Sequence, residues 1–326
     1  MVGSPRLGGM VRHDTLSLGN STDDVMSDGR LVSSRRDAFR QIPSVRNGLS
    51  VASVFVQTAL LIFLSVHFGP IAWLPVFILM GRAHAQFASL MHEAAHRLLF
   101  RNRMLNDFVG RWLIGYPAFT NTDAYRRLHM AHHREEFGPN EPDIALYANY
   151  PVSAASWRRK LVRDAEGRTG LRLLRDQLRG ARSEVAVVRQ TLFKILAVQA
   201  VLIVGAIVTG YWWVYPLFWL LPYLTVWRVI NRLRSVAEHG GLMASDDRRI
   251  ATHSVKQHWT ARFFLVPFNI GFHLAHHVDA GVPFRNLPKY HQMLVNSSYV
   301  TVGSGTDVTT NYQYPNYRSL WTALHY

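Results

Sequence analysis

Long uncharged runs of apolar residues constrain the fold of this chain more than any other feature of its sequence. The first run extends from Val51 to Phe68. A second begins after the Gly69-Pro70 pair and continues, less purely apolar, to His92. Gly-Pro marks a turn, and about 18 to 20 apolar residues suffice for a helix to cross a bilayer. These runs therefore predict a membrane-embedded helical hairpin.

The same arrangement recurs later in the chain. Residues 195–208 are uncharged, a Thr-Gly pair follows at 209–210, and residues 211–227 are uncharged and rich in aromatic side chains. As one continuous helix, residues 212–239 would be roughly 40 Å long, so His239 would lie beyond the membrane on the side where the hairpin begins. The expected spans are about 50–68, 70–92, 194–209 and 211–235.

Basic residues flank the predicted spans on one side only. They are Arg35, Arg36, Arg40 and Arg46 before the first pair, Arg97, Arg101 and Arg103 after it, and Arg228, Arg232 and Arg234 after the second. Because Lys and Arg mark cytoplasmic loops, both termini and the histidine clusters are expected in the cytoplasm, at the inner membrane in a bacterium. The net charge of +15 is attributed to membrane lipids and an acidic redox partner, not to nucleic acid.

The expected fold is therefore an all-α integral membrane protein with four transmembrane helices in two hairpins and a cytosolic helical cap. Residues 1–35 contain no apolar run and are expected to form a disordered tail. Residues 36–295 form the membrane domain, and residues 296–326 form a polar tail without an assigned role. Within the second span, Arg82 and His84 either face the bundle interior or line a substrate tunnel.

The segment 157–194 is strongly basic. It contains eleven Lys and Arg residues, four acidic residues, and leucines at positions 171, 174 and 178. This pattern predicts an amphipathic helix on the membrane surface, and a docking site for an acidic electron carrier is compatible with it.

Nine of the sixteen histidines fall into a pattern with helical spacing. They form an HxxxH motif, two HxxHH motifs and one isolated position, namely His92 and His96; His129, His132 and His133; His273, His276 and His277; and His239. Residues three and four apart share a helix face, so each motif directs its imidazoles at one point. Imidazole binds iron, zinc and copper, and eight or nine nitrogens suit two metal ions. The remaining histidines, among them His13 and His67, are predicted to be non-ligands.

Two other interpretations remain open at this level. The segment His92-Glu93-Ala-Ala-His96 also fits the HExxH signature of zinc proteases, with Glu93 as general base, but this leaves seven histidines unexplained. A metal-binding membrane protein without catalytic activity is the second. The chain contains no cysteine, which excludes iron–sulfur clusters and thiolate metal sites within it.

The order HxxxH, HxxHH, HxxHH around two apolar hairpins resembles the membrane fatty acid desaturases and hydroxylases. The segment 273–291, with its Asn-Leu-Pro-Lys stretch at 286–289, is similar to the third histidine box of that family, and the resemblance covers about residues 50–295. It implies that the helical cap carries a non-haem di-iron site, which uses molecular oxygen to desaturate a lipid or acyl chain. The electrons would come from a separate ferredoxin, rubredoxin or cytochrome b5-type carrier with its reductase.

By that resemblance the metal ligands are His92, His96, His129, His132, His133, His239, His273, His276 and His277. Asn269 is a candidate for holding a metal-bound water, with a packing role as the alternative. Glu238 and Asp279 are candidates for orienting ligand imidazoles. Ala275 stands where many lipid desaturases carry Gln or Glu, which leaves the substrate class open. Hydroxylases of alkanes or acyl chains and carotenoid ketolases share the histidine pattern and remain alternatives.

Overall fold

The computed structural model describes residues 6–10, 16, 18–139, 141–302 and 313–326, most of them helical. In chain order the helices are α1 (Ser33–Phe39), α2 (Ser44–His67), α3 (Pro70–Ala95), α4 (Arg103–Phe108), α5 (Thr122–Arg134), α6 (Ile144–Tyr147), α7 (Ala154–Ala165), α8 (Arg168–Arg179), α9 (Ala186–Val208), α10 (Leu221–Leu224), α11 (Val226–His239), α12 (Arg248–Ala251), α13 (Trp259–Phe264), α14 (His273–Val278), α15 (Leu287–Asn296) and α16 (Tyr317–Ala323). Two π-helical segments, Val109–Gly115 and Tyr215–Leu220, and a 3₁₀ turn, Gly180–Arg182, join them.

The chain divides into two compact units. The first unit comprises Met1–Ile42, Arg127–Trp157 and Arg232–Tyr326, and the second unit comprises Pro43–Arg126 and Arg158–Asn231. The first unit contains a two-stranded parallel sheet of β1 (Ser254–Val255) and β2 (Gln313–Tyr314). Seven of the nine motif histidines belong to the first unit, and His92 and His96 belong to the second.

Two helices of the second unit, α2 and α9, are long and apolar enough to cross a membrane. Only 28% and 17% of their apolar windows are buried, so both helices expose apolar side chains rather than forming a protein core. These two candidate helices coincide with two of the predicted spans. The hairpin arrangement itself stays a prediction.

Two candidate spans are found where four were predicted, since the other two segments do not meet the same criteria in the described part of the chain. In α3, Arg82, His84 and Gln86 interrupt the apolar sequence. The segment expected to be one helix from 212 to 239 is broken into a π-helical segment, α10 and α11. Pro216 and Pro222 lie in this segment, and proline cannot donate a backbone hydrogen bond. Thr225, with φ −120° and ψ −83°, lies outside helical geometry and separates α10 from α11.

Polar side chains of α3 face the interior of the second unit. Arg82 Nη1 donates to Gln57 Oε1 at 2.7 Å and to Gln86 Oε1 at 2.9 Å. His84 is 1% exposed, and its Nε2 lies 3.0 Å from the carbonyl oxygen of Trp219. Of the two interpretations of Arg82 and His84, these contacts support the interior-facing one.

Residues 18–32, within the segment expected to be a disordered tail, make specific contacts in the first unit. Val25 and Leu31 form an antiparallel bridge and are both fully buried. Tyr290 Oη donates to the carbonyl oxygen of Gly29 at 2.8 Å. These two isolated apolar residues anchor the segment although it contains no apolar run. Residues 1–5, 11–15 and 17, with His13, lie outside the described residues.

The end of the chain also packs into the first unit. Strand β2 pairs in parallel with β1, and Leu320 and Leu324 of the following segment are fully buried. Trp321 Nε1 donates to the carbonyl oxygen of Leu233 in α11 at 2.9 Å. The segment predicted as a polar tail is therefore structural over 313–326, while residues 303–312 lie outside the described part.

Candidate metal centre

Helices α5, α11 and α14 bring four imidazoles together in the first unit. One ring nitrogen from each of His132, His239, His273 and His277 lies within 4.8 Å of the others. His239 Nε2 and His277 Nε2 each lie 3.0 Å from His273 Nε2. All four residues are buried, with at most 4% of their surface exposed. The HxxHH spacing in α5 and α14 and the position of His239 at the end of α11 produce this convergence.

The spacing of these nitrogens fits metal coordination. Two nitrogens bound about 2.1 Å from one ion at a right angle lie about 3.0 Å apart. A pair of imidazole nitrogens this close shares at most one proton, since a neutral imidazole has one donor and one acceptor. A cation between the nitrogens would satisfy their lone pairs together, so this donor set fits a metal ion.

Burial keeps three of the four imidazoles neutral. It lowers the pKa values of His239, His273 and His277 well below the ordinary range. His239 Nδ1 donates to the carbonyl oxygen of Ala251 at 2.8 Å. The proton is then on Nδ1, and the lone pair of Nε2 is directed at the cluster. Neutral imidazole is the form that binds metal.

The fourth imidazole, His132, is oriented by a buried carboxylate. His132 Nδ1 lies 3.1 and 3.0 Å from the two oxygens of Glu141, whose side chain is inaccessible to solvent. Burial opposes both charges, but this contact outweighs it, raising the pKa of His132 and lowering the pKa of Glu141. Backbone N–H groups of Phe137 and Asp143 also donate to Glu141 and fix its position.

A second carboxylate orients His277. His277 Nδ1 lies 2.5 Å from Glu136 Oε1, and Arg248 Nη1 lies 2.6 Å from the same oxygen. Burial raises the pKa of Glu136 to about 7, while Arg248 acts in the opposite direction. The arrangement is a carboxylate–histidine pair of the kind that fixes the tautomer and orientation of metal ligands, with a guanidinium balancing the charge.

A second group of imidazoles lies in the same unit. His133 Nε2 is 3.1 Å from His129 Nε2 and 3.0 Å from His276 Nε2. The rings of His129 and His276 are nearly parallel, with centroids 6.1 Å apart. These separations match those of the first group, so this second donor set also has the spacing of metal ligands.

In the second unit, His92 and His96 lie at the end of α3, with ring centroids 4.8 Å apart. The end of this helix is fixed by side chains that bind its last carbonyl groups. Arg126 donates to the carbonyl oxygens of Ala94 and Ala95, each at 2.9 Å, and Asn106 Nδ2 donates to that of Ala94 at 2.9 Å. The two imidazoles are therefore carried on a rigid helix terminus.

The three residues predicted to assist the ligands have different surroundings from those expected. Glu238 Oε1 lies 3.6 Å from His273 Nδ1, beyond hydrogen-bond distance, and is paired with Arg234 at 2.6 Å. Asp279 binds Arg40 in a two-fold contact, and Asn269 binds Arg262 and the carbonyl oxygen of Phe284. Among the described residues, the side chains of Asp279 and Asn269 therefore bond to groups other than imidazoles, and Glu238 only approaches an imidazole.

Glu136, Glu141 and Arg248 were not predicted from the sequence. The acidic residues that were predicted, Glu238 and Asp279, lie within two positions of a ligand, whereas Glu136 follows His133 by three positions and Glu141 lies beyond a turn. Phe137, with φ +60°, begins this turn and returns the chain towards α5. Two acidic residues shortly after an HxxHH motif were the available signal.

Comparison with known proteins agrees with this centre. A family model described as fatty acid desaturase matches residues 69–300. The chain is 26% identical to the dihydrorhizobitoxine desaturase of Bradyrhizobium elkanii over 230 residues, which are 65% of this chain and 64% of that protein. It is 42% identical to the Delta(5) fatty acid desaturase fat-4 of Caenorhabditis elegans over 65 residues, 19% of this chain and 14% of that protein. The chain thus covers less than two thirds of the length of these curated relatives.

Proposed function

Because the chain belongs to the fatty acid desaturase family, we propose that it is an oxygen-dependent, non-haem di-iron enzyme that introduces a double bond into an acyl chain. Family membership supports an oxidoreductase. The observation that carries the finer proposal is the pair of imidazole groups in the first unit, with nitrogen separations of 3.0–3.1 Å. Nitrogen-only donor sets of neutral imidazole suit iron as well as zinc and copper.

We assign one iron to the first group, His132, His239, His273 and His277. The other five motif histidines, namely His92, His96, His129, His133 and His276, are proposed to hold the second iron. For His92 and His96 this assignment rests on the spacing of the motif and on the family resemblance alone. Asn269 and Asp279 are not included, because their side chains bind other partners.

The surrounding residues have three tasks in this proposal. Glu136, Glu141 and the carbonyl oxygen of Ala251 hold protons on the Nδ1 atoms, so that the Nε2 lone pairs remain available. Burial of the four imidazoles excludes water from this group. Arg248 balances the charge of Glu136 beside His277. The bound irons would supply oxygen activation and removal of hydrogen from an unactivated chain.

An acyl substrate and a membrane location are proposed together. The family is typically membrane-associated, and α2 and α9 expose apolar side chains along their length. The second unit also contains an apolar cavity of about 420 Å³ between α2, α9 and the segment 211–219, with Phe55, Leu202 and Trp219 in its lining. Such a cavity suits an alkyl chain. We place the active site and both termini on the cytoplasmic side, from the charge asymmetry alone.

Electrons are proposed to come from a separate ferredoxin, rubredoxin or cytochrome b5-type carrier and its reductase. The chain contains no cysteine, so it holds no iron–sulfur cluster of its own. Its net charge of +15 favours an acidic carrier.

The decisive experiment combines metal analysis with lipid analysis. The protein is purified anaerobically in detergent, and the lipids of a host that expresses it are compared with those of hosts expressing His132→Ala or His67→Ala. We expect about two irons per chain. A new unsaturated acyl chain should appear with the wild type and His67→Ala, and be absent with His132→Ala. A hydroxylated or ketonic product would identify the enzyme as a hydroxylase or ketolase instead of a desaturase. Bound zinc with unchanged lipids would refute the oxidative function.

A further inference from the structure

Helix α8 is held rigidly by one of its faces. Gly170 lies so close to α10 that a Cβ at this position would overlap the backbone of Leu224. Gln177 Nε2 donates to the carbonyl oxygen of Phe119 at 2.7 Å. Gly167 precedes α8 with φ +76°, a conformation that favours glycine. Because the anchored face is fixed, the orientation of the other faces of α8 is fixed as well.

Four arginines form one row along the face opposite this anchor. Arg168, Arg172, Arg175 and Arg179 are separated by four, three and four residues, which is the spacing of one helical stripe, and all four are exposed. The side chains of Arg168 and Arg179 are 73% and 77% accessible even though each contacts an acidic neighbour. The row therefore presents a concentrated positive charge to the surroundings of the protein.

Exposed leucines lie beside this arginine row. Leu171 and Leu178, seven residues apart and on the same side of α8, are 43% and 42% exposed. Leu173 is equally exposed, at 42%, but lies roughly 160–200° around the helix from Leu171. One side of α8 thus carries apolar side chains bordered by arginines, the arrangement of a helix that lies in a membrane interface.

The connection to α9 places α8 close to the membrane boundary if α9 spans the bilayer. Helix α9 has 23 residues, a length of about 34 Å, which slightly exceeds the hydrocarbon thickness of about 30 Å. Only residues 180–185 separate α8 from α9, and even fully extended they would reach about 20 Å. The 3₁₀ turn Gly180–Arg182 shortens this reach. The end of α8 is therefore confined to the neighbourhood of the lipid headgroups.

We propose that α8 is an interfacial helix that docks the protein on anionic lipids, with Leu171 and Leu178 inserted among the acyl chains and the arginine row bound to headgroup phosphates. The positive row complements anionic lipids, and the leucines beside it contact a hydrocarbon layer better than water. This inference depends on α9 crossing the membrane and is independent of the reaction that the metal centre performs.

The absence of cysteine allows a direct test in the full-length protein. Single substitutions Leu171→Cys, Leu178→Cys and Leu173→Cys are labelled with an environment-sensitive fluorophore and reconstituted in nanodiscs. The discs contain phosphatidylcholine alone or phosphatidylcholine with phosphatidylglycerol, and brominated lipids serve as quenchers. We expect quenching at positions 171 and 178, increasing with phosphatidylglycerol, and little quenching at position 173, which is the matched control because its exposure is equal.

The arginine row is tested with the double variant Arg172→Gln/Arg175→Gln in the Leu171→Cys background. Each arginine near an anionic surface contributes about a fivefold gain in binding, so this variant should need far more phosphatidylglycerol for the same quenching. Added salt should have the same effect on the unmodified row, which provides a second measurement if the variant folds poorly.

Three results would overturn the proposal. Equal quenching at positions 171, 173 and 178 would show that no side of α8 faces the lipid. Quenching without dependence on phosphatidylglycerol or salt would show that the arginine row does not bind anionic headgroups. The third result is that an acidic electron carrier shifts the label fluorescence in phosphatidylcholine discs while phosphatidylglycerol leaves it unchanged. That result would show that this surface of α8 binds a protein partner instead of lipid.

Discussion

Replacement of Glu136 by glutamine tests whether the carboxylates around the histidines serve the metal. The glutamine keeps the shape of the side chain and one carbonyl oxygen, but it removes the charge that lies 2.5 Å from His277 Nδ1 and 2.6 Å from Arg248 Nη1. Loss of such a partner lowers metal affinity by about 10–100-fold. Glutamine retains one oxygen that can accept from either His277 or Arg248. We therefore expect the lower end of this range, a loss of metal affinity of about tenfold, or 1.4 kcal/mol.

The assay is anaerobic titration of the metal-free protein with ferrous iron against a competing chelator, with circular dichroism as the measure of folding. Glu135→Gln is the matched control, because Glu135 is the neighbouring acid and is exposed to solvent. We expect Glu135→Gln to bind iron like the wild type and Glu136→Gln to release it to a weaker chelator. A folded Glu136→Gln protein with wild-type affinity would refute the argument that Glu136 orients a ligand.

Three further predictions follow from the same structure. His239→Ala should bind about one iron fewer than the wild type in elemental analysis, while His67→Ala, on a residue stacked against Phe63 in α2, should bind the full amount. Asp279→Asn should retain its iron in the chelator titration, because this carboxylate binds Arg40 rather than an imidazole, and loss of iron would contradict its placement. Gly170→Ala should destabilise the protein by about 1–3 kcal/mol through overpacking against Leu224. Gly205→Ala, whose Cβ would meet nothing within 4 Å, should be neutral or stabilising by roughly 0.5–1 kcal/mol in heat-inactivation assays in detergent.

The helices that sequence predicted best are those whose environment is uniform. Helices α2 and α9 each contain a long, predominantly apolar stretch, so composition alone indicated them. The segment 211–239 was harder, since its apolar character suggested one span although Pro216 and Pro222 lie within it. Residues 18–32 were missed because only Val25 and Leu31 anchor them, and two isolated apolar residues produce no periodic pattern.

The candidate centre was predictable where helical spacing decides the geometry. The motif in α5 places His129 and His133 on one face of the helix. In the structure, His133 lies close to His129 and also to His276. The carboxylate partners depend instead on the path of the loop after α5, where Phe137 adopts φ +60° and Glu141 returns to His132. The path of this loop is set by tertiary packing, which cannot be predicted from the spacing of residues in the sequence. The partners of Asn269, which are Arg262 and the carbonyl oxygen of Phe284, likewise depend on tertiary packing.

The composition of the first unit has a consequence for when the protein becomes competent to hold metal. Its residues come from the beginning, the middle and the end of the chain, and the segment around Leu324 hydrogen-bonds to Val152. Ribosomal synthesis supplies these segments in order, so the second unit, which ends at Asn231, is fully synthesised while the first still lacks His239 and all of α14. Assembly of the four-histidine group is therefore a late event of biogenesis, and a ribosome stalled before residue 273 would display a nascent chain with the HxxHH motif of α5 but without its partners in α14.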